Sequence, residues 1–150
     1  MKFTEGMWRL REGIHIDWAS NVAKLTDTDT GLRLLLSKPL WNRGDTLNSA
    51  TITASITSPR PDIIGVKYVH WAGGQDKGPH FELNVDKNHS VNTEKSNDSV
   101  RFTSGKLNLN INTAENAFGA VFTNDQDQKV TSHSFRSVGY VSDETRSPPE

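Results

Sequence analysis

Residues 107–112 read Leu-Asn-Leu-Asn-Ile-Asn, with an asparagine after each of Leu107, Leu109 and Ile111. A helix would spread this period of two around its whole surface. An extended chain instead puts the three apolar side chains on one face and Asn108, Asn110 and Asn112 on the other. The run therefore reads as a half-buried strand. Working outward, Ser104-Gly105 separates it from Val100 and Phe102 and reads as a tight hairpin. The same alternation recurs in Ile14, Ile16 and Trp18; in Leu32, Leu34 and Leu36; and in Ile52, Ala54 and Ile56 between Thr51, Thr53 and Ser55. It continues in Ile64, Val66 and Tyr68, in Phe81, Leu83 and Val85, in Phe118, Ala120 and Phe122, and in Phe135, Val138 and Tyr140. Turn-forming clusters at residues 26–31, 58–62 and 123–128 punctuate these runs. No window has the 3.6 period of an amphipathic helix, and no heptad or internal repeat is present. The sequence predicts an all-β fold, an antiparallel β-sandwich.

Residues 86–99 are polar and poor in apolar anchors, and are expected to form a long exposed loop. Residues 142–150 (Ser-Asp-Glu-Thr-Arg-Ser-Pro-Pro-Glu) read as a linker-like tail, which leaves residues 1–141 as the sandwich domain. Hydrophobic residues make up only 33% of the 150, so they have to be used one face at a time. The formal net charge is -1 with both signs interspersed, which is no footprint for nucleic acid. Absence of cysteine excludes disulfides, thiolate metal sites and a cysteine nucleophile. The beginning, Met-Lys-Phe-Thr-Glu-Gly-Met-Trp, has no apolar core of a secretory signal, and no run is long enough to span a bilayer. A cytoplasmic chain without membrane contact is expected. The two sequons at Asn88 and Asn97 are then chance matches.

Residues 70–83 concentrate reactive side chains: His70, Trp71, Asp76, Lys77, His80 and Glu82 among three glycines, the last of them followed by Pro79. One reading is acid–base chemistry, with His70 or His80 paired to Glu82 as in a sugar epimerase. The plainer reading is a glycine-rich connection between strands at residues 63–71 and 81–85. Gly-Gly-Gln-Asp-Lys-Gly fits neither a Walker A loop nor a dinucleotide fingerprint, and no helix follows to bind phosphate. Histidines 15, 70, 80, 89 and 133 have no metal-ligand spacing, so neither metal nor cofactor is expected. Arg43-Gly44-Asp45 matches an adhesion tripeptide, a match that three residues often make by chance. Trp8, Trp18, Trp41 and Trp71 could stack on sugar rings, although a tryptophan in a small β domain more often serves core or interface.

Several segments together resemble one family. The start, residues 1–8, with Arg11-Glu12-Gly13, is similar to the N-terminus of α-xylosidases of glycoside hydrolase family 31. So are Arg43-Gly44-Asp45-Thr46-Leu47-Asn48, His70-Trp71-Ala72-Gly73 and the run from Asp76 to Leu83. Thr103-Ser104-Gly105-Lys106-Leu107 and Arg136-Ser137-Val138-Gly139-Tyr140 fit the hairpin and closing segment of the same family. None of these motifs is catalytic.

The resemblance implies a galactose mutarotase-like N-terminal β-sandwich, whole or with strands missing, packed beside a (β/α)8 barrel. In the family that barrel supplies the nucleophile and acid/base aspartates of a retaining mechanism. No βα alternation occurs in these 150 residues, so the barrel is absent and no aspartate here takes either role. What remains for site residues is carbohydrate or domain-interface contact, at Trp41, His70, Trp71, Asp76 and His80. The expected role is a non-catalytic domain that supports a barrel and its sugar pocket. An autonomous carbohydrate-binding module and a mutarotase-like epimerase are the rival readings.

Overall fold

The computed structural model describes residues 3–6, 9–47, 49–70, 73, 78, 81, 82, 84–86, 88–134 and 136–145. Thirteen strands follow in chain order: β1 Thr4–Glu5, β2 Arg9–Leu10, β3 Ile14–Trp18, β4 Asn21–Thr28, β5 Gly31–Ser37, β6 Ile52–Thr57 and β7 Gly65–Val69, then β8 Asn92–Lys95, β9 Ser99–Ser104, β10 Leu107–Asn112, β11 Gly119–Thr123, β12 Lys129–His133 and β13 Gly139–Asp143. One short 3-10 turn, Arg43–Thr46, lies between β5 and β6.

These strands make two main antiparallel sheets, β4-β5-β6-β7 and β12-β11-β10-β9-β8, together with the ribbons β1-β2 and β13-β3. The alternation does what an extended chain requires. Leu32, Leu34 and Leu36 on β5 and Ile52, Ala54 and Ile56 on β6 point inward from the first sheet. Val100, Phe102, Leu109, Ile111 and Ala120 meet them from the second, joined by Phe118 just ahead of β11. Two faces filled from both sides make a sandwich. Polar contacts between the sheets fix which edges are neighbours. Lys95 on β8 reaches Asp27 on β4, at 2.7 and 2.6 Å from the two carboxylate oxygens. Tyr68 on β7 bonds Nδ1 of His133 on β12 at 2.7 Å. So β4 stands against β8 and β7 against β12.

The Ser104-Gly105 hairpin is as the sequence predicts. Ser104 pairs with Leu107, leaving Gly105 and Lys106 as a two-residue loop. Gly105 has φ of +56°, a conformation that glycine enters without steric cost.

Three expectations are corrected, and two strands lie where the sequence pattern predicts none. Residues 81–85 form no strand among their described positions, and Phe81 and Val85 are exposed. Their described positions pair with no strand, and side-chain pattern without a pairing partner does not make a strand. The loop expected over residues 86–99 instead contains β8, which pairs with β9. Its sequence, Asn-Thr-Glu-Lys, is polar because it is an edge strand, held by ladder hydrogen bonds rather than by burial. The edge strand β12 escaped the sequence reading for the same reason. Strand β4 escaped it because a bulge between Val22 and Lys24 shifts the register. Val22 and Leu25, three apart, therefore both pack on the core, and the period of two is lost. Finally, β13 takes in Ser142 and Asp143, which composition assigned to the tail, and pairs them with His15 and Ile14.

Phe102 is fully buried at the centre of the shared core. Phe102→Ala is expected to cost about 3–5 kcal/mol in urea unfolding. Val130→Ala, on an exposed side chain, should stay within about 0.5 kcal/mol of the parent. A loss under about 1 kcal/mol at Phe102 would mean that the two sheets do not share a core.

Candidate functional site

Of the five candidate residues, Trp41 and His70 are described; Trp71, Asp76 and His80 lie outside the described residues. The two described ones do not come together. Trp41 is 75% exposed, at the start of the 3-10 turn that follows β5. His70 lies just past β7, with Nδ1 3.1 Å from the Thr51 carbonyl and its ring stacked on Tyr140 at 4.1 Å. A carbonyl only accepts, so Nδ1 of His70 carries the ring proton in that bond. Glu82, the acid–base partner considered for it, is exposed and takes part in none of these contacts. His70 thus anchors the β13-β3 ribbon to the edge of the β4-β7 sheet.

The backbone under Trp41 is held from two directions. Asn116, at φ of +54°, uses its whole amide on the residue before Trp41. Its Oδ1 accepts the Leu40 N–H at 2.9 Å, and its Nδ2 donates to the Leu40 carbonyl at 3.2 Å. From the other side, Asp45 Oδ2 accepts the N–H groups of Asn42 and Trp41, each at 2.7 Å. Leu47 closes the turn with its N–H on the Gly44 carbonyl at 3.0 Å, and its side chain is 72% exposed. Two large apolar side chains are therefore displayed on a fixed turn. The Arg-Gly-Asp match is also accounted for, because the Asp45 carboxylate is turned back onto its own backbone.

Asn116 also lines an open groove of about 520 Å³, together with Asn112, Ala117, Phe118, Ile111 and Val121. The groove lies at the end of the sandwich where Phe118 donates its N–H to the Ser20 carbonyl at 2.8 Å. His133 is on its wall as well, tied at Nδ1 to Tyr68. Burial pushes the Tyr68 phenol up to about 12, so it keeps its proton at neutral pH.

A serine–histidine cluster, which the sequence did not single out, sits at the turn between β6 and β7. Ser58 Oγ is 3.0 Å from His89 Nε2 and 2.7 Å from Ser104 Oγ, and His89 Nε2 is 3.1 Å from Ser104 Oγ. Both hydroxyls also reach the Arg60 carbonyl, at 2.9 and 3.2 Å. That carbonyl can only accept, so the chain of donors closes when His89 Nε2–H gives to the serines, one serine gives to the other, and the second gives to Arg60. A serine whose proton points at a carbonyl is not activated by the imidazole. With Ser104 fully buried, the cluster is a clasp that ties the 58–62 turn to the β9-β10 hairpin. No local pattern announces it, since its members are 31 and 46 residues apart from Ser58.

The bonds from Asn42 and then Trp41 hold the Asp45 carboxyl below its ordinary value. A depressed value means the bonds stabilise the turn at neutral pH and are lost as the pH falls through it. In an NMR acid titration, the Trp41 and Asn42 amides are expected to shift together with the Asp45 carboxyl. Asp45→Ala should abolish that transition. Amides that ignore Asp45 would show that the carboxylate does not hold the turn.

No family model matches the chain. Curated proteins similar to it include two α-xylosidases. An α-xylosidase of Emericella nidulans is 55% identical over 151 residues, covering 97% of this chain and 19% of that protein. The α-xylosidase XylQ of Lactiplantibacillus pentosus is 34% identical over 87 residues, covering 56% of this chain and 11% of that protein. The chain thus spans less than a fifth of the length of each of these two relatives. Identity of this extent, over an all-β sandwich, establishes common descent. The chain corresponds to a small N-terminal part of its α-xylosidase homologues and fits an N-terminal fragment of a glycoside hydrolase of family 31.

Proposed function

We propose that the chain serves as the non-catalytic, galactose mutarotase-like sandwich of an α-xylosidase-type glycoside hydrolase. In this role it supports a catalytic barrel and its sugar pocket, both supplied by the remainder of the protein. The observation that carries the reading is the alignment of 97% of this chain with only 19% of the Emericella nidulans relative. The uses of the carboxylates support it. Asp27 is paired with Lys95 and Asp127 with Arg101, while Asp45 and Asp62 accept backbone N–H groups. Retaining hydrolysis needs two carboxyl groups about 5–5.5 Å apart across a substrate, free to exchange protons. Carboxylates committed to holding strands and turns do not offer that chemistry. We assign domain-interface contact to Trp41, His70, Trp71, Asp76 and His80, and a cytoplasmic setting, which the cysteine-free composition suits.

A second reading, a carbohydrate-binding module that acts alone, is favoured by the exposed indole of Trp41 on its fixed turn. An indole face stacks well on the apolar face of a pyranose.

The purified chain is expected to release no aryl group from an aryl α-xyloside. A chimera in which it replaces the matching segment of the Emericella nidulans relative is expected to hydrolyse the same substrate. Turnover by the chain alone, lost on mutation within it, would overturn the reading, as would an inactive or unfolded chimera.

An epimerase would show itself separately. Sugar mutarotation in the presence of the chain should run at the spontaneous rate, and the His70→Ala/His80→Ala variant should leave it there. A catalysed rate that disappears in the double variant would establish epimerase activity.

A further inference from the structure

We infer that the turn displaying Trp41 and Leu47, together with the groove beside it, is the face by which this sandwich seats on the remainder of the protein. The inference rests on the reading above and names the surface and the chemistry of that contact. Its partner would be an apolar, uncharged surface of the downstream chain.

Three observations lead there. The first is exposure on a rigid support. Trp41 and Leu47 are 75% and 72% exposed, yet the backbone beneath them is bonded by Asp45 within the turn and by Asn116 across 76 residues of sequence. A loop with no contact to make gains nothing from presenting two large apolar groups. Fixing them in advance removes much of the ordering cost when a partner arrives. The second is continuity. Asn116, which clamps Leu40, is also in the wall of the 520 Å³ groove, so knob and groove form one surface. Among the described residues the groove is lined by no Asp, Glu, Lys or Arg. An apolar projection beside an uncharged hollow matches the anatomy of an interface centre. The third is the size of what is missing. Only 19% of the Emericella nidulans relative corresponds to this chain, so most of that protein is available to cover the face.

The same geometry argues against a sugar as the occupant. A pyranose stacked on Trp41 would need unspent donors and acceptors beside the ring to fix its hydroxyls. The flanking carboxylate and amide are already engaged: Asp45 Oδ2 accepts two backbone N–H groups, and both ends of the Asn116 amide are on Leu40.

The test uses the chimera described above, with a protease site inserted at the junction after Glu150. Once cut, the two pieces of the parent chimera are expected to co-elute on size exclusion, and to keep doing so in high salt. With Trp41→Ser/Leu47→Ser they should separate, with affinity lower by at least about tenfold, the effect of truncating central apolar anchors. The isolated double variant should unfold cooperatively at the parent temperature, because both side chains are exposed. If it does not, Leu47→Ser alone provides the same comparison, since that side chain takes no part in the clamps.

A parent chimera that fails to fold or hydrolyse would sink the domain reading and this inference with it. A working parent whose variant pieces still co-elute would sink the inference alone. So would a saturable change in tryptophan fluorescence with a xyloside that is lost in Trp41→Ser, which would make a sugar the occupant. Concentration-dependent dimerisation of the isolated chain, abolished by the double variant, would instead give the face to a second copy.

Discussion

The fold depends on one layer, where six inward side chains from β5 and β6 meet six from the β9-β11 region. Only 33% of the chain is hydrophobic, and among the described residues every buried hydrophobic side chain except Ile14 belongs to this layer. Phe102, Leu32, Leu34, Leu36, Leu109 and Ile111 are nearly or wholly inaccessible, so the apolar residues are spent where two sheets face each other. This constraint sets the register of every central strand, because a slip of one residue would send the leucines of β5 outward and Arg33 inward. It also leaves the periphery to be held by polar contacts. The Asp27–Lys95 pair, the Tyr68–His133 bond and the Ser58–His89–Ser104 clasp all lie where strand edges or turns close the sandwich. Exposed pairs such as the first are worth little singly. The clasp is of a different kind: Ser104 is wholly inaccessible, and a buried hydroxyl without partners would be costly.

What was legible in the sequence follows from this division. Strands that contribute to the layer announce themselves by alternation, and Leu107 to Asn112 does so most clearly. Strands held by their backbones do not: β8 is Asn-Thr-Glu-Lys and β12 begins Lys129-Val130-Thr131, with nothing in either to bury. In β4 a single extra residue at the bulge turns a period of two into a spacing of three. The opposite error occurred at Phe81 to Val85, where the pattern is present and the partner strand is not. Alternation reports burial on one face, and the ladder must be supplied by something else.

The candidate site divides in the same way. That Trp41 would be available for contact could be suspected from its place between a strand and Arg43-Gly44-Asp45. That it would be available on a fixed backbone could not, because the clamp comes from Asn116, 76 residues away from Leu40 in the sequence. A side-chain amide that pairs with a backbone N–H and carbonyl has no local signature. The serine–histidine clasp shows the converse hazard: the residue types of nucleophilic chemistry meet at bonding distance, and only the Arg60 carbonyl reveals that they are structural.

The distribution of satisfied polar groups also says where on this domain contact can occur. Away from the groove, the outer face of the five-stranded sheet offers little. Arg101 reaches Asp127 at 2.8 Å, and Thr103 bonds Asn108 at 2.8 Å. Asn108 is only 4% exposed even though it points away from the core, because these neighbours cover it. A surface whose side chains already satisfy one another has no desolvation to recover from a partner. It would have to break good bonds to make new ones. The outer face of the β4-β7 sheet is open but mixed, with Lys24 and Arg33 around Leu35. The end of the sandwich near Trp41 differs from both, because its polar groups are spent on the backbone and its apolar groups are left over. That asymmetry arises from the folding constraint itself: polar clamps hold the turns and so leave large apolar side chains free to face outward. In this domain the surface most suited to a partner is therefore built by the same bonds that keep a small core closed.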